Sequence, residues 1–433
     1  MINYQEILSR YRPTSEEESK LKEISADIVA KINYICSLRG LRAEAVIVGS
    51  YAKGTNLRDG DLDIFIAFDR DYPEEIVNKE GLRIGHAVLP NGREKYAEHP
   101  YVSGEVKGVK IDVVPCYKMH FGDRKISAVD RTLLHTEYVN QHLDDRGRDE
   151  VRLLKIFMKS IGVYGAEART FGFSGYLCEL LVIRLGSFDR VIQFFSKAKG
   201  RVILDVDERF QDPMVLIDPV DPDRNVASPV SLESLSRMKI ASKLYISSQD
   251  AQFFQIDYEK KDVAYHDRGT CIMIYSIQKP DLTDDVIYPQ VYRFRSVLQK
   301  IMEAHEIRVI SSEIDVSDRI YVLIETPTCN EDRIHVHTGP PVDTDNAVDF
   351  IESWKIRKRS RGPYLVGDRL YVDVFTGERS IEEIVRADIE NYSIGKNLDK
   401  FKKNIEIMRF KGNSERMPVL DKFFGADVFR RNT

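Results

Sequence analysis

Three aspartates stand where carboxylates could act together. Asp61 and Asp63 lie two apart at the start of the apolar run Leu62 to Phe68, which reads as a β-strand. Both side chains then leave one face of the strand while Leu62 and Ile64 leave the other. Asp112 lies inside Val109 to Cys116, on the polar face of a pattern whose apolar face is Val109, Ile111 and Val113. Paired carboxylates in a wet cleft repel one another and take up hard divalent cations such as Mg²⁺ through oxygen. Three of them can hold two ions roughly 3.5–4 Å apart, which activates an attacking hydroxyl and steadies a leaving pyrophosphate. That is phosphoryl-type chemistry.

Gly49 and Ser50 close the apolar run Ala45 to Val48 upstream. A glycine there lets the backbone approach a phosphate, and the Ser50 hydroxyl and nearby N–H groups can donate to it, with Lys53 adding a cation. Each piece alone has an ordinary reading: Gly-Ser as a turn, Asp-x-Asp as a solvated strand edge, Asp112 as an exposed sheet residue. Their joint order, each on the required face, is what points to a metal site.

The elements that must position these residues follow from periodicity. Thr14 to Leu38 reads as a helix, with Leu21, Ile24, Ile28, Ile32 and Cys36 at helical spacing and Ser15 with Glu18 as a capping box. Tyr101 to Lys107 and Val109 to Cys116 read as two strands around Gly108, so a small mixed sheet is expected within the first 120 residues. From Ser127 to Gly186 the pattern turns helical, with Val151, Leu154, Met158 and Ile161 as one apolar stripe and Phe173 to Leu185 as another. Arg152, Lys155 and Lys159 are expected as a basic stripe opposite that face. Beyond Pro213 the chain is mixed, with a polar loop from Asp218 to Asn225 and strands at Cys271 to Ile277, Ile320 to Ile324 and Leu370 to Phe375.

Composition narrows the class. A chain of 433 residues exceeds what one core usually serves, and 42% hydrophobic with 31% charged residues describes an ordinary globular protein. No apolar run is long enough to span a bilayer, and the N-terminal stretch MINYQEILSR has no basic segment followed by an apolar one, so the expectation is a cytoplasmic protein with no membrane partner. The cysteines at 36, 116, 178, 271 and 329 are odd in number and far apart, and read as reduced, mostly buried thiols. A net charge of −5 gives no global sign of a polyanionic partner, so a nucleic-acid surface would have to be local. Lys355, Arg357, Lys358, Arg359 and Arg361, beside Trp354 and Tyr364, are the local candidate, with a solvated charge run as the alternative.

Strand, Gly-Ser, about ten residues, Asp-x-Asp on a strand, then a later strand Asp: this order resembles the polymerase-beta-like nucleotidyltransferase superfamily. Longer segments resemble the archaeal CCA-adding enzymes: VGSYAKGT (48–55), YAEHPYVSGEVKGVKIDVVPCYK (96–118), SAVDRT (127–132), EVRLLK (150–155), GFSGYLCELL (172–181), DPVDPDRNVA (218–227), KPDLTDDVIYPQ (279–290) and GKN (395–397). The resemblance implies an α+β multidomain chain. A nucleotidyltransferase head of mixed sheet and helices would occupy 1–145, a helical neck 146–215, a mixed body 216–258 with 380–433, and a tRNA-binding tail 259–379. It implies addition of C, C and A to tRNA 3′ ends from CTP and ATP without a nucleic-acid template, by two Mg²⁺ ions on Asp61, Asp63 and Asp112.

The resemblance also places Gly49, Ser50 and Lys53 near the triphosphate and His135, Lys155 and Tyr164 at the nucleotide's sugar and phosphates. His99 would touch the RNA end. Lys53 stands where the family often carries Arg, so a point charge replaces a bidentate contact there. Little is recognisable between about Glu303 and Arg379, and His335 with His337 share a strand face without a third ligand nearby. C and A present an amino donor beside a ring-nitrogen acceptor where U and G do not, and a guanidinium donates only. The resemblance makes Arg224 the base reader, against the alternative of a salt bridge to Asp221 or Asp223. Other readings are a poly(A) polymerase or oligoadenylate synthetase, a catalytically idle RNA-binding protein on the same fold, and a small-molecule nucleotidyltransferase. A homo-oligomer is left open.

Overall fold

The structure, a computed structural model, describes every residue except numbers 1, 59, 97–99, 120–128, 257–262, 331–333, 358–359, 376–378, 413–414 and 426–433. The chain divides into two compact units, one of residues up to 259 and one of 260–427.

The first unit begins with α1 (Tyr4–Tyr11) and α2 (Ser15–Leu38). Two overlapping S/T-x-x-E pairs compete for the start of α2. Thr14 with Glu17 forms the capping box, one residue before the expected Ser15 with Glu18, because the helix starts at Ser15 and makes Thr14 the cap. Then come β1 (Ala43–Val48), the short α3 (Gly49–Ala52), β2 (Leu62–Phe68), α4 (Glu74–Val88), β3 (Arg93–Tyr96), β4 (Pro100–Val106) and β5 (Val109–Tyr117). They make a five-stranded sheet of order β1-β2-β5-β4-β3 in which β2 and β5 are parallel. Strand alternation divides its faces. Leu62, Ile64, Ile66 and Phe68 with Ile111 and Val113 pack with Ile24, Ile28 and Ile32 of α2 and Val77 and Ile84 of α4. Phe65, Ala67 and Cys116 face the other way with Val48, and Asp63 and Asp112 share that side by alternation.

A helical layer follows: α5 (Arg131–His142), α6 (Asp145–Ser160), α7 (Gly175–Leu185) and α8 (Phe188–Lys197). The pairs β6 (Val202–Ile203) with β7 (Met214–Val215), and β8 (Ile217–Asp218) with β9 (Asp221–Asn225), lead to α9 (Leu232–Ser248). The segment 218–225, expected as a loop, is this last hairpin. Within 216–258, Leu216, Val226, Leu235, Met238 and Tyr245 share one core with α6, α7 and α8. Burying the apolar side of α9 against α8 is what binds that segment to the first unit.

In the second unit, β10 (Cys271–Gln278), α10 (Asp284–Ala304), β11 (Ser311–Val316) and β12 (Arg319–Thr326) belong to a four-stranded sheet. Its order is β11-β12-β10-β16, after β13 (Ile334–Pro341), α11 (Ala347–Lys355), β14 (Ser360–Val366), β15 (Arg369–Phe375) and α12 (Ile381–Asp388) have been traversed to reach β16 (Glu406–Arg409). β13, β15 and β14 form a separate three-stranded sheet, and α13 (Pro418–Phe424) packs Val419 and Leu420 on Ile272, Ile274 and Leu323.

The reading of five reduced thiols is corrected here: Cys271 and Cys329 are disulfide-bonded, while Cys36, Cys116 and Cys178 are free and buried. Antiparallel pairing sets Cys271 opposite Thr326, so Cys329 just past β12 returns within 5.1 Å Cα to Cα despite a separation of 58 residues. Among the described residues no helix is long and apolar enough to cross a membrane.

Candidate active site

The acidic strand ends are built by register. Asp63 is flanked by Val48 on β1 and by Asp112 on β5, and neighbouring strands lie about 4.8 Å apart, so the two carboxylates leave one face side by side. Gly49 makes room for them: its φ is +72°, and a Cβ there would sit 2.0 Å from Asp63 Oδ2. Only glycine meets both conditions. Burial first, then the charges of Asp112 and Asp61, push the Asp63 carboxyl up to about 7. Asp112 Oδ1 is buried with no hydrogen-bond partner among the described residues. Asp61 turns aside to the ammonium of Lys110. Among the described residues no three His, Cys, Asp or Glu side chains are gathered closely enough to hold a metal. Two of the three expected ligands are therefore adjacent, and the third is held by a lysine. The donor set still suits a hard cation: all oxygen, like-charged, and with one buried acceptor unused.

Lys53 and Lys155 meet at a residue not singled out from the sequence, Glu179 of α7. Its carboxylate is 1% exposed and takes Lys53 Nζ at 2.6 Å, Thr55 Oγ1 at 2.6 Å and Lys155 Nζ at 3.2 Å. Lys155 Nζ also donates to Thr55 O at 3.1 Å and Thr55 Oγ1 at 3.0 Å, so its three N–H groups are used within the protein. Burial lowers the affinity of the Lys155 ammonium for its proton, against the pull of Glu179. The expected basic stripe of Arg152, Lys155 and Lys159 is not one exposed face: Lys159 is exposed, but Arg152 and Lys155 are buried. Arg152 donates from Nε to Asn56 O at 3.0 Å and from a terminal nitrogen to Asp149 at 2.9 Å. Both side chains tie α6 to the segment that follows Gly49-Ser50. The signal for Glu179 was a lone acid among Leu177, Cys178, Leu180, Leu181 and Val182 on an otherwise apolar helix.

His135 and Arg224 meet at a second buried carboxylate, Asp218, which accepts from His135 Nε2 and from Arg224 at 2.9 Å each. Tyr176 donates to it at 3.0 Å, and its ring stacks on His135 at 3.8 Å between centroids. Lys53 Nζ lies 5.4 Å from the same ring, which links the two carboxylate groups through Tyr176. Arg224 is indeed salt-bridged, but to Asp218, while Asp221 pairs with Arg131 at 3.1 Å and Asp223 with Arg209 at 2.6 Å. Tyr164 is packed at the same junction: a Cβ on Gly175 would lie 3.0 Å from its hydroxyl and 3.6 Å from Lys155 Nζ. The Ser50 backbone carbonyl accepts from Thr55 N at 2.9 Å, closing the turn after Gly49.

In the second unit, Lys355 pairs with Glu352 at 2.6 Å, Arg357 lies 4.0 Å over the Trp354 ring, and Arg361 pairs with Asp373 at 3.1 Å. His335 bonds Glu306 at 2.9 Å and His337 stacks on Phe350. His99, Lys358 and Arg359 lie outside the described residues.

Residues 29–135 match the family described as nucleotidyltransferase domain, 149–255 the tRNA nucleotidyltransferase second domain, and 268–409 the CCA-adding enzyme C-terminal domain. Nucleotidyltransferases of this fold generally use divalent metal ions. A CCA-adding enzyme of Thermoplasma acidophilum is 83% identical over 431 residues, with 100% of each chain covered. One of Picrophilus torridus is 49% identical over 432 residues, covering 99% of this chain and 100% of its own. One of Methanocaldococcus jannaschii is 35% identical over 419 residues, covering 90% of this chain and 92% of its own. Strand register, carboxylate pair, basic turn and full-length likeness agree: this chain belongs to the family of archaeal CCA-adding enzymes, the tRNA nucleotidyltransferases.

Proposed function

We propose that this chain adds C, C and A in turn to the 3′ end of tRNA, taking CTP and ATP as donors and no nucleic-acid template, with two Mg²⁺ ions on Asp61, Asp63 and Asp112. One observation carries the metal assignment: Asp112 Oδ1 is buried and has no partner among the described residues, one parallel pair from an Asp63 carboxylate that only a glycine at 49 could accommodate. When bound, the ions would supply Lewis acidity at the attacking hydroxyl and the leaving pyrophosphate.

The chain's own residues do the rest. Asp61, paired with Lys110, would be the third residue to hold the ions. Gly49 and Ser50 open the approach to the triphosphate, and Lys53 offers it the N–H groups that Glu179 leaves unused. Lys155, with all its donors engaged, braces that turn from behind, and Tyr164 packs against it. Arg224, held by one amino group and 29% exposed, meets the base. His99 is assigned to contact with the RNA end, and Lys355, Arg357, Lys358, Arg359 and Arg361 to the grip on the tRNA backbone, in the cytoplasm.

The test is to incubate the protein with Mg²⁺, labelled CTP or ATP, and tRNA lacking its CCA. The expected product gains three nucleotides, and Asp112→Ala gives none. Long A tails on any RNA would instead make it a poly(A) polymerase, and no product from intact protein would leave an RNA-binding role.

A further inference from the structure

Asp218 is completely buried, yet it anchors the two side chains nominated to meet the nucleotide. Its Oδ1 accepts from Tyr176 Oη at 3.0 Å and from the Val220 N–H at 3.1 Å. Its Oδ2 accepts from His135 Nε2 and Arg224 at 2.9 Å each. A carboxylate only accepts, so the proton on His135 must be on Nε2 when the ring is neutral. Burial, outweighing the pull of Asp218, keeps His135 below its ordinary range, so the neutral ring prevails at neutral pH. Nδ1 is then a bare acceptor with no protein partner among the described residues. A bare acceptor cannot donate to a phosphate, but it can receive a sugar hydroxyl. Arg224 uses one terminal nitrogen on Asp218 and has no other protein partner among the described residues, so its remaining N–H groups point to a ligand that accepts.

We propose that Asp218 is a positioning residue for nucleotide choice: it turns His135 so that Nδ1 accepts a ribose hydroxyl, and it anchors Arg224 so that the free side of the guanidinium meets the base. One buried anion would thereby set sugar and base selection together. This rests on the proposed contact of Arg224 with the base and on the placement of His135 at the nucleotide's sugar that the family resemblance implies.

Two measurements test it. In the first, ¹⁵N NMR of the labelled full chain, with His135 assigned by its absence in His135→Ala, reads the tautomer directly. Nε2–H with a bare Nδ1 is expected, and the reverse tautomer would overturn the proposal. In the second, kcat/KM is measured on tRNA lacking CCA for CTP against UTP, and for ATP against 2′-deoxy-ATP and 3′-deoxy-ATP. Asp218→Asn, which offers one acceptor oxygen to four donors, and Asp218→Ala are both expected to narrow the CTP:UTP ratio about tenfold. At least one deoxy ratio should narrow with it. A merely structural lesion would slow all nucleotides alike and leave the ratios within twofold of wild type, which overturns the proposal. If neither variant folds, the tautomer decides. If His135→Ala leaves every nucleotide's KM unchanged, the nucleotide does not sit there and the placement itself fails. If His135→Ala raises KM while the Asp218 ratios hold, only the role of Asp218 fails.

Discussion

Two charged clusters of the first unit, both fed by the segment from Lys53 to Asp63, are built on opposite terms. Around Asp63 and Asp112, carboxylates crowd together and one buried oxygen has no donor among the described residues. Around Glu179, two ammonium groups and a threonine hydroxyl close on a single carboxylate whose two oxygens are both engaged. An unsatisfied buried acceptor costs roughly 1–3 kcal/mol, whereas a fully connected polar network rigidifies its surroundings. The open cluster is where a ligand can be received, and the closed one holds the frame that receives it.

The strongest way to break this contrast is at the open cluster. Asp63→Asn or Asp112→Ala should cut nucleotide addition by about a thousandfold or more, since several kcal/mol of transition-state stabilisation leave with the ligand. The unfolding temperature should hold or rise, because the crowding that pushes the Asp63 carboxyl up to about 7 is relieved. Retention of a tenth of wild-type kcat at saturating Mg²⁺ would remove these residues from the metal site.

At the closed cluster the balance should invert. Glu179→Ala leaves two buried ammonium groups without their carboxylate and should lose about 3–5 kcal/mol of stability by denaturant unfolding. The pH dependence has a definite sign. Burial raises the Glu179 carboxyl, but Lys53 and Lys155 outweigh it and hold the group below its ordinary value. Its contribution is therefore complete above the unfolded value, about 4.3, and is lost as pH falls through the lower folded value. The stability gap between wild type and Glu179→Gln should shrink in acid below that range; a gap that widened there would refute the linkage.

A smaller effect is expected from Arg224→Ala. KM for CTP and ATP should rise and their advantage over UTP should narrow, on the order of tenfold, with metal binding unchanged. A CTP:UTP ratio within twofold of wild type would make the hairpin that carries Arg224 structural only.

The smallest effect belongs to the basic run of the second unit, where Lys355 and Arg361 are exposed and already paired. Surface pairs of this kind contribute little to stability. Replacing Lys355 and Arg357 with Ala should leave folding and ATP binding alone, and should flatten the salt dependence of tRNA binding by about two units of slope. An unchanged slope would return the run to an ordinary solvated face.

The carboxylate strands were legible because alternation of apolar and polar residues is a local signal: Leu62 to Phe68 was read at its observed bounds, and Asp63 and Asp112 fell on the expected face. The α-helix from residue 15 and the hairpin about Gly108 were legible for the same reason. Sequence periodicity says which side of an element a residue leaves, but not whether that side meets water. Arg152 and Lys155 showed the limit: their helix is apolar on one side and packed on nearly all others, so a basic stripe became a buried brace.

Pairings across long separations were decided only by the tertiary structure. Lys53 reaches Glu179 over 126 residues and His135 reaches Asp218 over 83, and each of the two carboxylates lies in a segment whose resemblance was clear while its role was not. The disulfide of Cys271 and Cys329 likewise depended on antiparallel register between β10 and β12. Local pattern determined which side chains could do chemistry, because propensity and alternation act over a few residues. Chain folding decided which of them meet and which remain unpaired, because burial and hydrogen-bond satisfaction are settled among groups far apart in the chain.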